Sequence, residues 1–482
     1  MLFESPEHYD INEIKRYLLL AVAGVLLWRL TAGMAVILLP VVVIASVVRR
    51  KSVELLFELL FIVFTLVGNR QLLVPNAIAM TVVRITLMLM TALLWKNITA
   101  KGNDSYLFGP FWGLFAYLGW ETLVSVQGFS PVVSFLKLFL FVTIFMAMIG
   151  MASTVNRSPE TNSRQLRSAV LAVISLVLFG SILLVPFPSL GMMVGEEALK
   201  AIRSGELVSL FQGMTCQTQV LGTLTAILGT FVFADLAFSL KKWDKFYLAL
   251  LVACPVLIYM TSSRTGMGTL FAGTGMVIFL VMRGRGVTAS WKGRLMSTFN
   301  LLLVVGAIAV CAVPSARDKV GRFVFKQSAK SVVTDTSFDA MVSTRQELMD
   351  ESARNFRDKP LLGNGFQVSR GMSGMKRSGL MSYLSAPIEK GVWIYAIPEE
   401  GGIIGMAIFC AWLVVMFRHL LAYKAYICAC VFFAFVTANF GEFTFFSMSY
   451  LGGFGWALTF AALCLDWQRI KAETLPEQAS GA

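Results

Sequence analysis

Lys and Arg gather in alternate gaps between about 14 hydrophobic stretches that run the whole length of this 482-residue chain. That alternation constrains fold and orientation together, because short loops rich in Lys and Arg stay on the cytoplasmic side of a membrane. The apolar fraction is 57%, charged residues make up 14% and the mean hydropathy is +0.72. Soluble domains run at roughly 45–50% apolar and about 25% charged, so a soluble protein is excluded.

Bilayer hydrocarbon offers the backbone no hydrogen-bond partners, so spans of roughly 17–25 apolar residues are expected to be helices. The spacing predicts helices over 17–30, 32–49, 53–68, 76–96, 107–126, 132–153, 167–187, 212–238, 245–261, 265–283, 298–314, 392–417, 425–440 and 446–466. The weak period-two pattern of an outer-membrane barrel is absent. The expected fold is an all-α polytopic membrane bundle of about 14 transmembrane helices, with a range of 12–14. The first two helices are short and meet at Arg29; as one tilted helix they would lower the count to 13 and move the N-terminus across the membrane. The expected organisation is an N-terminal bundle over 1–314, a large periplasmic loop with short helices over 315–391, further spans over 392–466, and a cytoplasmic tail over 467–482.

Glu4, Glu7, Asp10 and Glu13 precede Lys15 and Arg16, which is not the basic start of a removable signal peptide, so the first helix is expected to remain as an anchor. The seven Cys lie mostly inside spans, and no disulfide framework is expected.

With 14 helices, the clusters Arg49-Arg50-Lys51, Lys96/Lys101, Arg157/Arg164/Arg167, Lys241-Lys242/Lys245, Arg283/Arg285/Lys292/Arg294, Arg418/Lys424 and Arg469/Lys471 fall on one side. The positive-inside rule makes that side, and both termini, cytoplasmic. The net charge of +13 is then mostly topology and not a nucleic-acid footprint. The loop 315–391 is the exception, with 13 Lys/Arg against eight Asp/Glu on the outer side. Long translocated loops escape the rule, so this charge either is an ordinary solvated surface or serves a ligand.

Three outer stretches carry candidate chemistry. Thr261-Ser262-Ser263-Arg264-Thr265-Gly266-Met267-Gly268 forms a tight turn in which Arg264 has no topological reason to sit. Arg264 either snorkels or joins the hydroxyls of Ser263 and Thr265 in a donor-rich pocket suited to phosphate oxygens. Thr344-Arg345-Gln346-Glu347 reads as a capping box that starts a helix running to about Arg357, followed by Asp358-Lys359-Pro360-Leu361-Leu362-Gly363-Asn364-Gly365-Phe366. Arg345 at that helix start would share an anion with the positive end of the dipole. Last come Pro387-Ile388-Glu389-Lys390-Gly391-Val392-Trp393-Ile394-Tyr395 and Glu399-Glu400-Gly401-Gly402-Ile403-Ile404-Gly405. Trp393 and Tyr395 suit an interfacial belt, whereas Glu399 and Glu400 inside a membrane helix call for a reason.

In this order and with this topology, the stretches resemble the O-antigen ligase and polymerase family of bacterial membrane glycosyltransferases, mainly over residues 205–465. Gly213-Met214-Thr215-Cys216-Gln217-Thr218-Gln219-Val220-Leu221-Gly222 is similar to that family's Asn-rich helix start, with Gln in place of Asn. The resemblance implies a GT-C-like enzyme of the inner membrane. It implies that an undecaprenyl-pyrophosphate-linked glycan is transferred to an acceptor hydroxyl at the periplasmic face, without metal, nucleotide sugar or cofactor. Arg264 and Arg345 match the family's pyrophosphate-binding arginines, and a guanidinium stays charged while gripping phosphate bidentately.

The ligase branch carries a His-Asn pair before its Gly-x-x-Gly, and the corresponding spacing from Gly402 and Gly405 lands here on Gly391-Val392. The two His, His8 and His419, both fall on the cytoplasmic side. This departure turns the expectation from lipid A core ligation toward an inverting polymerase of O-antigen, capsule or exopolysaccharide repeats. Glu389 is the first candidate for general base and Glu400 the second; Glu389 is also placed to pair with Lys390 or cap a helix. Lys390 either helps to hold phosphate or marks the interface. Membrane lipid, a chain-length regulator and a flippase are the partners that the family implies.

Arg84 lies well inside 76–96, where a charge costs roughly 2.5–3.5 kcal/mol on insertion scales and must face the bundle or a cavity. Lys137 either snorkels or lines the donor cavity. Glu58 and Asp235 lie nearer the cytoplasmic ends, Glu121 and Glu442 nearer the outer face. No HExxH, P-loop or CxxC motif offers competing chemistry. The alternatives that stay open are an O-antigen ligase or protein O-oligosaccharyltransferase, which share the donor site, and a lipid-linked oligosaccharide transporter or flippase. A transporter would ordinarily show internal repeats, which are not evident.

Overall fold

The computed structural model describes residues 8–73, 77–99, 105–158, 161–193, 211–312, 338–368, 392–448 and 451–479. Within them the chain is helical, with only isolated bridges at Gly68–Thr215 and Met192–Phe211. The helices are α1 (Ile11–Leu30), α2 (Leu38–Val48), α3 (Ser52–Val67), α4 (Ala77–Thr99), α5 (Ser105–Ser125), α6 (Pro131–Arg157), α7 (Ser163–Leu183) and α8 (Thr218–Asp235). They continue as α9 (Lys245–Thr261), α10 (Arg264–Met282), α11 (Ala289–Ala312), α12 (Phe338–Asp358), α13 (Trp393–Ala422), α14 (Tyr426–Ala438) and α15 (Leu451–Ala479). Each hydrophobic stretch expected to be helical carries one of these helices. Six among the described residues, Ile78–Ile98, Pro131–Arg157, Ser163–Leu183, Thr218–Leu240, Arg264–Met282 and Trp393–Ala422, are long and apolar enough to cross a membrane. Met34–Val48, Lys245–Thr261 and Tyr426–Ala438 are apolar but shorter.

The first two stretches are separate helices. Arg16 at the start of α1 reaches Glu54 at the start of α3 at 3.4 Å, and Arg29 at its end donates to the Gln71 carbonyl just past α3, so α1 and α3 run in the same direction. Ser46 near the end of α2 donates to Glu58, so α2 returns against α3. The reversal is made at Gly33, whose φ of 86° is the left-handed conformation that only glycine adopts without cost.

The core is centred on α8, which packs against α9, α10 and α14; α15 backs α14 and reaches α3 and α6. Small residues set the approach of α8 to α10. A Cβ on Gly266 would lie 2.5 Å from the Gly222 carbonyl oxygen, and one on Gly273 would collide with Thr230. Close backbone contact of this kind drives helix association where no hydrophobic force operates between helices.

The two ends of the bundle differ. At one end, Arg167 pairs with Asp235 at 2.8 Å, Tyr247 donates to the same carboxylate at 2.6 Å, Tyr9 donates to Asp244, and Arg469 pairs with Asp466 at 3.0 Å. Arg16, Arg164, Lys241, Arg285 and Lys424 lie at this basic end as well. The opposite end is polar, with its neutral hydrogen bonds made by amides and hydroxyls. There Asn69 donates to the carbonyls of Leu190 and Gly213, and its own amide donates to Met214, which ties the segment before α8 to the end of α3.

Candidate active site

The polar end is organised by a break in α13. Pro398 removes a backbone donor from the helix and Gly402 adopts φ 67°, ψ −169°, a conformation confined to glycine. A break inside a membrane helix frees carbonyls and amides that hydrocarbon cannot satisfy. The turn after α12 satisfies them. Asn364 donates its amide to the Glu399 carbonyl at 2.9 Å, Gly365 to Glu400 at 3.0 Å, and Ile403 donates back to Pro360 at 2.9 Å. The Trp120 indole on α5 takes the Gly401 carbonyl at 2.7 Å. The Pro-Leu-Leu-Gly-Asn-Gly turn thus completes the hydrogen bonding of a helix it does not belong to.

Three carboxylates are buried at this junction, Glu121 and Glu400 at 0% and Glu399 at 1% exposure, and a fourth, Glu442 at 8%, is buried next to Gly441, which packs against Thr265. Asn355 on α12 donates to Glu399 Oε1 at 2.9 Å, and Asn364 donates to the Asn355 carbonyl at 2.7 Å. Tyr117, one helical turn before Glu121, is close enough to feel both Glu121 and Glu400. A Cβ on Gly401 would run into Glu121, which shows how closely α5 approaches the break.

Arg264 opens α10, half-buried, in a turn built for rigidity. Ser262 takes the left-handed cap of α9, and the Ser263 hydroxyl accepts the Gly266 amide at 3.0 Å as the N-cap of α10. Gly222 on α8 packs against Ser263, and Gly441 after α14 packs against Thr265. Ser263 therefore serves the helix as a cap, and Thr265 is wedged against a neighbouring turn.

Arg345 sits differently from the sequence expectation. α12 begins at Phe338, so Arg345 lies two turns inside the helix and Thr344 is not its cap. The apolar stripe Phe338, Met341, Leu348, Met349 and Phe356 carries the 3.6-residue period through that point. The dipole argument attached to Arg345 belongs instead to Arg264, the first residue of α10. The Arg345 side chain, and Glu389 and Lys390 altogether, lie outside the described residues.

Lys137 is buried at 5% exposure and donates to the Gln367 carbonyl at 3.0 Å, beyond the Gly-rich turn. It binds the loop and does not snorkel. Arg84 is buried at 6% on α4. Thr91 to Thr143, Gly150 against Leu94 and Asn97 to Thr154 run α4 parallel to α6, which sets Arg84 at about the depth of Lys137. Glu400, Lys137 and the turn 360–367 are thus one assembly, while Ser263, Arg264 and Thr265 form a second on α10. Tyr117, Trp120 and Asn355 carry no motif in the sequence, and Asn364 stood there only as part of the turn; the intramembrane carboxylates Glu121, Glu399 and Glu400 were the signals near them.

Residues 246–385 match the family described as O-antigen ligase, a region that holds both the Arg264 turn and the turn after α12. No curated protein matches the chain. The apolar helices make this a multi-pass membrane protein. The match supports an O-antigen ligase/polymerase-like family, whose members are membrane glycosyltransferase-like enzymes.

Proposed function

We propose that the chain polymerises lipid-linked polysaccharide repeat units, moving a glycan from an undecaprenyl-pyrophosphate donor to an acceptor sugar hydroxyl at the periplasmic face of a bacterial inner membrane. The observation that carries this reading is the rigid Arg264 turn inside the matched region, with a guanidinium at the positive end of α10. Arg264 and Arg345 hold the donor pyrophosphate. The acceptor oxygen attacks the anomeric carbon, the bond from that carbon to the pyrophosphate oxygen breaks, and the electron pair leaves with the pyrophosphate, inverting the centre. The hydroxyl proton passes to a carboxylate, Glu389 first and Glu400 second. Ser263, Thr265 and Lys390 shape the phosphate pocket, and Arg84 and Lys137 support its inner wall.

A ligase is the second reading, favoured by the description of the matched family. Against it stands the position of both histidines at the basic end: Arg167 donates to the His8 carbonyl, and the His419 ring packs tilted against Tyr423 near the end of α13. The test is to incubate the purified protein with the host's lipid-pyrophosphate-linked repeat, without metal or nucleotide sugar, and weigh the lipid-linked products. A ladder spaced by one repeat is expected. Transfer that waits for lipid A core or a protein acceptor makes it a ligase, and an intact substrate under every condition returns a transporter to the front.

A further inference from the structure

The basic end holds a second feature, unrelated to glycan transfer. A cavity of about 410 Å³ opens there between the ends of α8, α10 and α13, the start of α14 and the side of α15, lined by Lys241, Arg285, Lys424 and Arg469 over the ring of Tyr426. No acidic residue lines it among the described residues.

The walls are built. Arg469 is held in place by the Lys424 carbonyl and by Asp466 Oδ1, and its guanidinium lies 5.6 Å from the Tyr426 ring centre. Gly286 has φ 67°, and a Cβ there would come 2.8 Å from that ring, so the backbone closes against the aromatic floor. Lys241 and Lys424 both adopt left-handed backbone conformations, φ 55° and 58°, at positions where glycine is the low-strain choice. A helix dipole rewards one cation at each C-terminus. It does not gather four round one cavity. Topological sorting likewise asks only that basic residues lie in these loops, not that they converge.

We propose that this cavity is a phosphate site that takes a phosphate-bearing anion, brought either as a phospholipid headgroup or as a soluble phosphate. Basic pockets between membrane helices recognise headgroup phosphates by these means, with charge-assisted hydrogen bonds from Lys and Arg. Arg285 and Lys424 are exposed and reach the ligand from the rim, Lys241 is half-buried, and Arg469 forms the fixed inner donor.

The full-length protein in detergent is the material for the test. Native mass spectrometry would count retained phosphatidylglycerol against phosphatidylcholine of the same chains, and thermal shift would be read with inorganic phosphate and pyrophosphate. Selective retention of phosphatidylglycerol that drops ~10-fold or more in Lys241→Ala/Arg285→Ala/Lys424→Ala assigns the site to a lipid headgroup. A thermal shift with phosphate or pyrophosphate that the same triple change abolishes, without lipid selectivity, assigns it to a soluble anion. Arg285→Ala alone, in an exposed loop, keeps the test readable should the triple variant fold poorly and is expected to weaken binding by several-fold. Arg49→Ala/Arg50→Ala, in another basic loop, is expected to change nothing. Wild-type protein that binds neither class selectively, or variants at the cavity that bind as the Arg49/Arg50 control does, would overturn the proposal.

Discussion

Leu361 and Gly402 meet backbone to backbone: a Cβ placed on Gly402 would collide with the Leu361 carbonyl oxygen. The contact joins a turn outside the helix to the break within it, and it has a counterpart in Gly363, whose Cβ would strike the Glu400 carbonyl at φ 83°. Two glycines therefore hold one junction from opposite sides.

Gly402→Ala and Gly363→Ala are each expected to cost at least 1–3 kcal/mol from backbone conformation alone, roughly, with the steric clash added. Thermal unfolding in detergent should show both variants well below wild type. Gly275→Ala is the matching control, since nothing lies within 4 Å of that position in the middle of α10. There the change removes only backbone entropy and is expected to be neutral or stabilising by about 0.5–1 kcal/mol. Equal behaviour of all three would contradict the junction.

The staple between Asn355 and Glu399 predicts how α12 is retained on α13. Asn355→Ala loses a hydrogen bond to a buried carboxylate, worth about 1.5–3 kcal/mol when the partner is charged. The helix carries the exposed Arg354 and Arg357 near the staple, so loosening it should let the helical backbone unwind there and admit trypsin. Cleavage there is expected to accelerate several-fold in Asn355→Ala relative to wild type. An unchanged digestion pattern would show that other contacts hold α12.

At the basic end, Arg167 and Asp235 are 5% and 0% exposed and only 2.8 Å apart. Asp235→Ala leaves a buried guanidinium without its partner, which costs roughly 3–5 kcal/mol. Removing both charges in Arg167→Met/Asp235→Leu is expected to be milder than Asp235→Ala alone, because no uncompensated charge remains. A double-mutant cycle of unfolding midpoints checks this, and additive losses would argue against a coupled pair.

The helices were readable from the sequence because lipid leaves the backbone one local solution, and helices stand at all the stretches where hydropathy placed them. The tight turn at Ser263 was readable for a similar reason, since its hydroxyls and its glycines are close neighbours in sequence, whereas the Ser263 hydroxyl read as a phosphate donor is used as the helix cap. The junction was not. Its hydrogen bonds join Gly365 to Glu400, Trp120 to Gly401 and Lys137 to Gln367, residues whose nearness depends on how α5, α6 and α13 pack. Local pattern also misled at Thr344, where a capping-box spelling lies within a longer amphipathic stripe and the stripe sets the helix start at Phe338. Glu121 showed as a charge inside a span, but its proximity to Gly401 is a tertiary fact.

Arg264 is where the proposed chemistry meets the fold. It occupies the first position of α10, in a turn held by the Ser263 cap and by the close packing of Gly222, Gly266 and Gly441. Arg264→Ala leaves these packing contacts in place, and the unfolding midpoint in detergent, read beside activity, reports what the guanidinium itself adds to the turn. Chain growth should fall by roughly 10²–10³, the usual cost of deleting a donor aimed at charge that develops in the transition state. Arg264→Lys keeps the charge and loses the bidentate fork, and should recover only part of the activity. Arg345→Ala is expected to match Arg264→Ala. Polymer length distributions from membranes carrying equal amounts of each protein provide the measurement. A wild-type distribution in either alanine variant would remove that arginine from the donor site, whereas loss of the folded protein with Arg264→Ala would mean that the guanidinium serves the turn and not the pyrophosphate.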